Sequence, residues 1–287
     1  MAKGNYSAVS EFILLGLTDN PELQATPFGV FLVIYFASVL GNLGLIVLIQ
    51  ISPHHLAFID FSFTSSVTPN TLVNFLCEVK SITFYACVIQ VCCFITFVVC
   101  EQYLLSVMAY DRYVAICNPL LYAILMPKKL CNRIIASTYI YGFVVGLVQT
   151  VATFLLSFCG SNRVNHFYCE DVPLVALACS DTHVKELMLL IIAGFNTLCS
   201  LLIVMISYIF ILFAILRIRS AEGRQKAFST CVSHLTSITI FYATIIFMYL
   251  LPNSMIPMLN PLIYSLRNQE LKNALKSIIE KLHLAIK

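Results

Sequence analysis

The sequence is short of charge. Only 11% of its 287 residues are Asp, Glu, Lys or Arg, and it contains no tryptophan. Soluble domains carry about 25% charged residues, so an ordinary water-exposed surface is excluded. The net charge is only +3, and no basic cluster with interleaved aromatics occurs, so no nucleic-acid partner is expected. A CxxC…CxxC framework for zinc is missing. So are an HExxH motif and any Ser/His pair with motif support, which argues against an intramembrane enzyme. Internal repeats and matched Gly/Pro-broken helix pairs, the marks of a transporter or channel, are absent as well. The first 26 residues hold one apolar run, Phe12–Leu15, too short for the core of a cleavable signal peptide. The first membrane helix is expected to act as its own insertion signal.

What is present is apolar. Hydrophobic residues make up 60% of the chain, and the mean hydropathy is +0.90. Five stretches, at 27–51, 87–110, 134–158, 187–216 and 228–251, are each long enough to cross ~30 Å of hydrocarbon at ~1.5 Å per residue. Two more are weaker. The stretch 55–76 contains Asp60, several hydroxyl residues and Pro69. The stretch 255–266 has 12 residues and reaches only ~18 Å as a helix. Beyond it, within 268–284, Leu271, Leu275, Ile278, Ile279 and Leu282 form one helical stripe, with Lys272, Lys276, Glu280 and Lys281 elsewhere on the wheel. That pattern predicts an amphipathic helix on the membrane surface. The predicted fold is therefore an all-α membrane protein, a single seven-transmembrane bundle over 1–287 with helices two and seven shortened.

Charge sets the orientation. Assigned to alternating sides, the polar segments carry four Lys or Arg on the side of the N-terminus and 13 on the other, together all 17. The positive-inside rule then puts the N-terminus outside and the C-terminus inside, which requires an odd number of crossings. Asn5-Tyr6-Ser7, the single N-x-S/T sequon, falls outside, where Asn5 is a glycosylation acceptor. Of the 12 cysteines, most lie in apolar runs, but Cys159, Cys169 and Cys179 occupy or border the polar segment 159–186. That segment is outside too, where disulfides form.

Three strings carry a resemblance. Met108–Cys117 reads MAYDRYVAIC, Lys226–Leu235 reads KAFSTCVSHL, and Pro257–Asn268 reads PMLNPLIYSLRN. With Gly41-Asn42 and Ser207-Tyr208, they resemble, in order and along nearly the whole chain, the signatures of odorant receptors within the rhodopsin-like, G-protein-coupled class. The resemblance implies a receptor for a small volatile or hydrophobic ligand, embedded in lipid at the plasma membrane. It implies signalling through a stimulatory heterotrimeric G protein to cyclic AMP.

The resemblance also distributes roles. Asp111, Arg112 and Tyr113 match the coupling motif at the inner end of helix three. Arg112 keeps its proton at any accessible pH, and adjacent Asp111 can partner it at rest. Tyr208 and Tyr264 match tyrosines that hold the Arg on activation, Asn260 and Pro261 belong to the helix-seven motif, and Lys226 borders the G-protein groove with Arg217, Arg219 and Arg224. Asp60 and Glu101 are the two acids inside apolar runs, where acids are costly and usually functional. The alternative to a functional role is a satisfied structural pair. By the resemblance they match an intramembrane pair linked to a sodium ion, the one cofactor implied, with Asn42 and Asn260 as polar neighbours. Four outer cysteines allow three pairings, and the resemblance selects Cys87–Cys169 and Cys159–Cys179. Depth places a mostly apolar ligand pocket at Phe94, Ile95, Val98 and Val99 of helix three, Ile192 and Asn196 of helix five, and Tyr242, Ile245 and Ile246 of helix six. Each could equally serve packing or face lipid.

The chain departs from the family in two places. Ile51–His55 runs directly into Asp60, which sits about five residues, ~7.5 Å, from the inner edge, whereas Glu101 is 11 residues, ~16 Å, from Arg112. Unless the end of helix one unwinds, the two acids do not meet at one level. After Leu251–Ser254 the outer loop and the outer half of helix seven are missing. The alternative reading is accordingly an internally deleted receptor-like chain, retained in the endoplasmic reticulum and poor at signalling.

Overall fold

A computed structural model describes residues 9–15, 21–48, 53–77, 79–159 and 162–250. Eight helices and three short strands are described: β1 (Glu11–Leu14), α1 (Pro21–Leu48), α2 (Pro53–Leu76), β2 (Ser81–Thr83), α3 (Phe84–Cys117), α4 (Tyr122–Leu125), α5 (Lys128–Phe154), β3 (Arg163–Val164), α6 (Asp171–Leu177), α7 (His183–Arg217) and α8 (Ala221–Leu250). Asn5, Asn260, Pro261, Tyr264 and the expected helices 255–266 and 268–284 lie outside the described residues.

Most helices outrun the apolar stretches that announce them. An apolar stretch marks only the part matched to hydrocarbon. Backbone hydrogen bonding continues past it, so α3 carries Asp111 and Arg112 inside its last turns and α8 begins seven residues ahead of Phe228. Pro21 and Pro53 open α1 and α2, the position where proline's fixed φ and missing N–H cost nothing. The carboxylate of Asp181 starts α7 by accepting the backbone N–H of His183 at 3.0 Å. Among the described residues, four helices are long and apolar enough to cross a membrane: α3, α5, α7 and the Ala221–Ile246 part of α8. α5 leaves Ile140, Phe143, Val144, Leu147 and Val151 exposed at helical spacing, an outward apolar face suited to lipid.

The chain divides into two compact units. One comprises residues 1–33, 62–99 and 140–196, the other 34–61, 100–139 and 197–287.

In the first unit, β1 lies between β2 and β3. It pairs antiparallel with β2, Phe12 opposite Ile82, and parallel with β3, Leu14 opposite Val164. This small sheet was not expected in an all-α chain. The reason it forms is side-chain alternation: Phe12 and Leu14 point to one face and are buried, and they share a core with Ile82, Cys87, Val91, Val164, Cys169 and Leu174. Phe12 packs edge-on against Phe158 and stacks with Phe84. Disulfides join Cys87 to Cys169 and Cys159 to Cys179, the pairing that the resemblance implied. α3 and α5 approach closely at Gly146, where a Cβ would collide with the Thr96 hydroxyl and sit 3.0 Å from the Cys92 carbonyl oxygen.

In the second unit Ile211, Ile215 and Cys231 form a buried cluster from α7 and α8, with Tyr113 and Ile116 of α3 packed on it.

Candidate functional site

The coupling motif sits in the second unit at the end of α3. Asp111 accepts a hydrogen bond at 2.8 Å from the hydroxyl of Tyr122, on the short helix α4. That bond, reinforced by partial burial, pushes the Tyr122 phenol up to about 12, so it remains a donor throughout the physiological range. Sequence reasoning missed Tyr122, because nothing in a string four residues past Asn118 marks a return to α3. Arg112 is close enough for its charge to act on Tyr208, Cys231 and His234. Tyr208 of α7 and Nδ1 of His234 of α8 lie 2.7 Å apart. His234 is buried and belongs to the string that marks the start of helix six, but no role was read for it. Tyr113 packs against Phe210 at 5.6 Å. The side chain of Lys226 lies outside the described residues.

The intramembrane acids are placed in this unit as well. Glu101 is fully buried, and Asp60 and Asn42 are buried. The Asn42 amide donates to the Ser38 hydroxyl at 3.3 Å. Buried carboxylates and an amide carbonyl are oxygen donors of the kind a hard cation takes.

The expected ligand residues divide between the units, and each is described in its own. In the first, Phe94 and Val99 are buried, while Ile95, Val98 and Ile192 are half-buried. Phe94 packs on Phe63 at 5.3 Å and on Tyr168, beside the Cys169 disulfide, at 5.6 Å. Asn196 is buried and engaged at both ends. It accepts from the Tyr141 hydroxyl at 2.7 Å and donates to the Ile192 carbonyl at 2.8 Å. In the second unit Tyr242 and Ile245 are buried, while Ile246 is half exposed. The Tyr242 hydroxyl donates to Ser200 Oγ at 2.7 Å. Ser200 belongs to a polar group in which the Ser106 hydroxyl donates to the Ser200 carbonyl at 3.1 Å and the Gln102 amide donates to Thr197 at 3.1 Å. Side chains of α3, α7 and α8 are thus joined through hydroxyls and an amide.

Two polar groups in the segment between α5 and α7 and at the start of α7 were not legible in the sequence. His166 and Glu170 lie 3.5 Å apart, both buried. Burial pulls His166 down to about 4, against the opposing effect of its hydrogen bond with the Tyr168 backbone. Burial pushes Glu170 up to about 7, a hydrogen bond from Tyr168 opposing and Asp171 adding to it. Between those values both groups are neutral, so their approach is not an ion pair. The second group is a buried ion pair, Lys185 with Asp171, at 2.9 Å. Lys185 is one of the four cations that the charge count put outside.

Residues 31–255 match the family model described as olfactory receptor. The chain is 75% identical to olfactory receptor 5AL1 of Homo sapiens, a match covering all of this chain and 95% of that relative. It is 52% identical to olfactory receptor 8U3 of Mus musculus, over 98% of this chain and 96% of the relative. Olfactory receptor 5M8 of Homo sapiens is 53% identical over 94% of this chain and 96% of its own length. The first of these alignments runs over 313 positions and takes in the whole chain of 287. The difference, 313 less 287, leaves about 26 positions of that relative without a counterpart.

Proposed function

This chain belongs to the olfactory receptor family, whose members are multi-pass, seven-helix, G-protein-coupled membrane receptors and not enzymes, and from that premise we propose that it binds small, mostly apolar odorants and signals through a stimulatory G protein to cyclic AMP. The observation that carries the reading is the grouping at the end of α3. Asp111 is occupied by Tyr122, while Tyr208 and His234, from two further helices, stand within the reach of Arg112's charge. An arginine that exchanges partners between α3, α7 and α8 converts a shift of one helix into an opening for a partner's helix. Tyr242, hydrogen-bonded to Ser200, supports a route from ligand-side residues to that end. Phe94, Ile95, Val98, Val99, Ile192, Ile245 and Ile246 are apolar, which suits a hydrophobic ligand. The engaged amide of Asn196 and hydroxyl of Tyr242 suit positioning.

Asn42, Asp60 and Glu101, buried in one unit, carry the oxygen donors that a sodium ion in the resting core would take, with Asn260 as the fourth member, on the condition that Asp60 and Glu101 come to one level. The orientation we propose has the N-terminus outside, Asn5 glycosylated and the chain at the plasma membrane. A cyclic-AMP reporter with an odorant panel tests the reading: Arg112→Ala should abolish the response while surface expression stays the same. An undiminished response would remove Arg112 from the mechanism.

The shorter length favours a second reading. About 26 positions of olfactory receptor 5AL1 lack a counterpart, and the stretch 255–266 is too short to span. A chain so shortened would be held in the endoplasmic reticulum and respond weakly. Detection of an N-terminal tag on unpermeabilised cells separates the two readings.

A further inference from the structure

The segment joining α5 to α7 is tied covalently at two points. Cys169 is bonded to Cys87 at the start of α3, and Cys179 to Cys159 just beyond α5. Between the ties lies α6, with seven residues. A helix of that length does not hold itself together in isolation. Its N-cap residue Glu170 makes no side-chain cap hydrogen bond, and the bonds at its two ends are long, the Leu174 N–H to the Glu170 carbonyl at 3.4 Å and the Ala178 N–H to the Val175 carbonyl at 3.2 Å.

What α6 does have is a buried ionic contact in its first turn. The Lys185 ammonium has three N–H donors, and all three find acceptors: Asp171 Oδ2 at 2.9 Å, Gln149 Oε1 at 2.6 Å and the Gln149 carbonyl at 3.0 Å. The other carboxylate oxygen of Asp171 accepts from the Thr153 hydroxyl, whose single proton is shared with the Gln149 carbonyl. Lys185, Asp171, Gln149 and Thr153 are all nearly inaccessible to solvent. Every strong donor and acceptor of the pair is used, and the group joins α5, α6 and α7. A compact ammonium suits three acceptors converging from three directions, whereas a planar guanidinium does not.

We propose that Lys185 is the clasp of this segment: by binding Asp171 it keeps α6 folded between the two disulfides, and without it α6 melts while both disulfides remain. The reason lies in the asymmetry of buried pairs. Losing one partner strands the other charge away from water, whereas replacing both is tolerated. A stranded Asp171 must either take up a proton or move into solvent, and at neutral pH, where a carboxyl resists protonation, α6 has too little of its own to stay behind.

The test is hydrogen–deuterium exchange on the purified full chain in detergent, with α6 and the middle of α3 read as separate peptides. Lys185→Met should raise exchange in α6 by about tenfold or more, leave α3 unchanged, and leave both disulfides intact in a non-reducing peptide map. The double variant Asp171→Asn with Lys185→Met should return α6 to within about threefold of the parent, because an Asn amide can donate to Gln149 and accept from Thr153. Lys185→Arg should behave like Lys185→Met. If the single variant does not fold but the double variant does, with α6 protected, the clasp is supported. The proposal is overturned if α6 is unprotected in the parent, or if Lys185→Met leaves its exchange unchanged. It is overturned equally if the double variant is no better than the single one, if the disulfides are lost, or if neither variant folds.

Discussion

Tyr208 on α7 and His234 on α8 are joined by a hydrogen bond of 2.7 Å, and both feel the charge of Arg112 on α3. If Nδ1 accepts the phenol proton, the imidazole carries its own proton on Nε2. The bond is part-buried, so its loss costs about 0.5–1.5 kcal/mol. In a background that gives a cyclic-AMP response, His234→Phe and Tyr208→Phe should each lower receptor sensitivity by about three- to tenfold. The pair changed together should be no worse than the poorer single variant. Additive losses would mean that the two residues act separately.

Tyr122 makes an opposite prediction. Its hydroxyl occupies Asp111 at 2.8 Å, and that contact fixes α4 against the end of α3. Tyr122→Phe removes the donor and leaves the ring. Asp111 then loses one restraint on the resting arrangement, and ligand-free cyclic AMP should rise about two- to fivefold at equal surface level. Unchanged or lowered basal signalling would show that the bond does not favour the resting state.

Most of the helical plan was legible because lipid imposes a simple code. Long apolar stretches and the strings around Arg112 and His234 can be read locally, and the disulfide pairing came with the resemblance. The sheet could not be read that way. Phe12 meets Ile82 and Leu14 meets Val164 across more than sixty intervening residues, and a four-residue strand has too little periodicity to announce itself. Lys185 was counted as one outer cation among four, because a charge tally does not show that three acceptors surround it. The positions of Phe94 and Asn196 along their helices were readable. That Phe94 packs against Phe63 and Tyr168, and that Asn196 accepts from Tyr141, depends on partners distant in sequence.

The His166–Glu170 pair predicts compensating pH effects. Glu170 has its folded value raised from 4.5 to about 7, so its contribution is fully present below 4.5 and is lost as pH rises through about 7. His166 has its folded value lowered from 6.5 to about 4, so its contribution is present above 6.5 and is lost as pH falls through about 4. With both present, the slopes oppose each other between those limits and stability changes little. Glu170→Gln should expose the histidine, making the melting temperature in detergent fall by several degrees, about 3–8 °C, as pH drops from 6.5 to 4. His166→Phe should expose the glutamate and produce a fall of similar size as pH rises from 4.5 to 7. Parallel profiles in parent and variants would refute the compensation.

Gly146 is a packing prediction. A methyl added there collides with the Thr96 hydroxyl and meets the Cys92 carbonyl at 3.0 Å and the Thr96 nitrogen at 3.1 Å. Two of the three are backbone and cannot rotate away, so α3 and α5 must separate locally. Gly146→Ala should destabilise by about 1–3 kcal/mol. Adding Thr96→Ala should recover only part of the loss, since the Cys92 carbonyl remains. Full recovery would locate the whole constraint in the threonine side chain.

The last prediction concerns length. An alignment of 313 positions holds only 287 residues of this chain, and the sequence reading finds the shortfall after Ile51 and after Ser254, both outside the described residues. The stretch 255–266, with 12 residues including Pro257 and Pro261, would reach ~18 Å as a helix and so leave ~12 Å of a ~30 Å hydrocarbon layer uncovered. Backbone groups unpaired in hydrocarbon cost several kcal/mol each, and local thinning or unwinding of neighbouring turns relieves only part of that. From the sequence alone, Arg267 and the amphipathic stripe beyond it are expected to hold the coupling end of helix seven, while its opposite end lacks residues that would wall the ligand site. Poor surface delivery and weak responses are the expected outcome. Inserting the missing loop and helix-seven segment of a close relative between Ser254 and Met255, together with a matching repair after Ile51, should raise both surface staining and the odorant response by about tenfold or more. If the unrepaired chain reaches the surface and responds as strongly as the repaired one, helix length is not what limits this receptor.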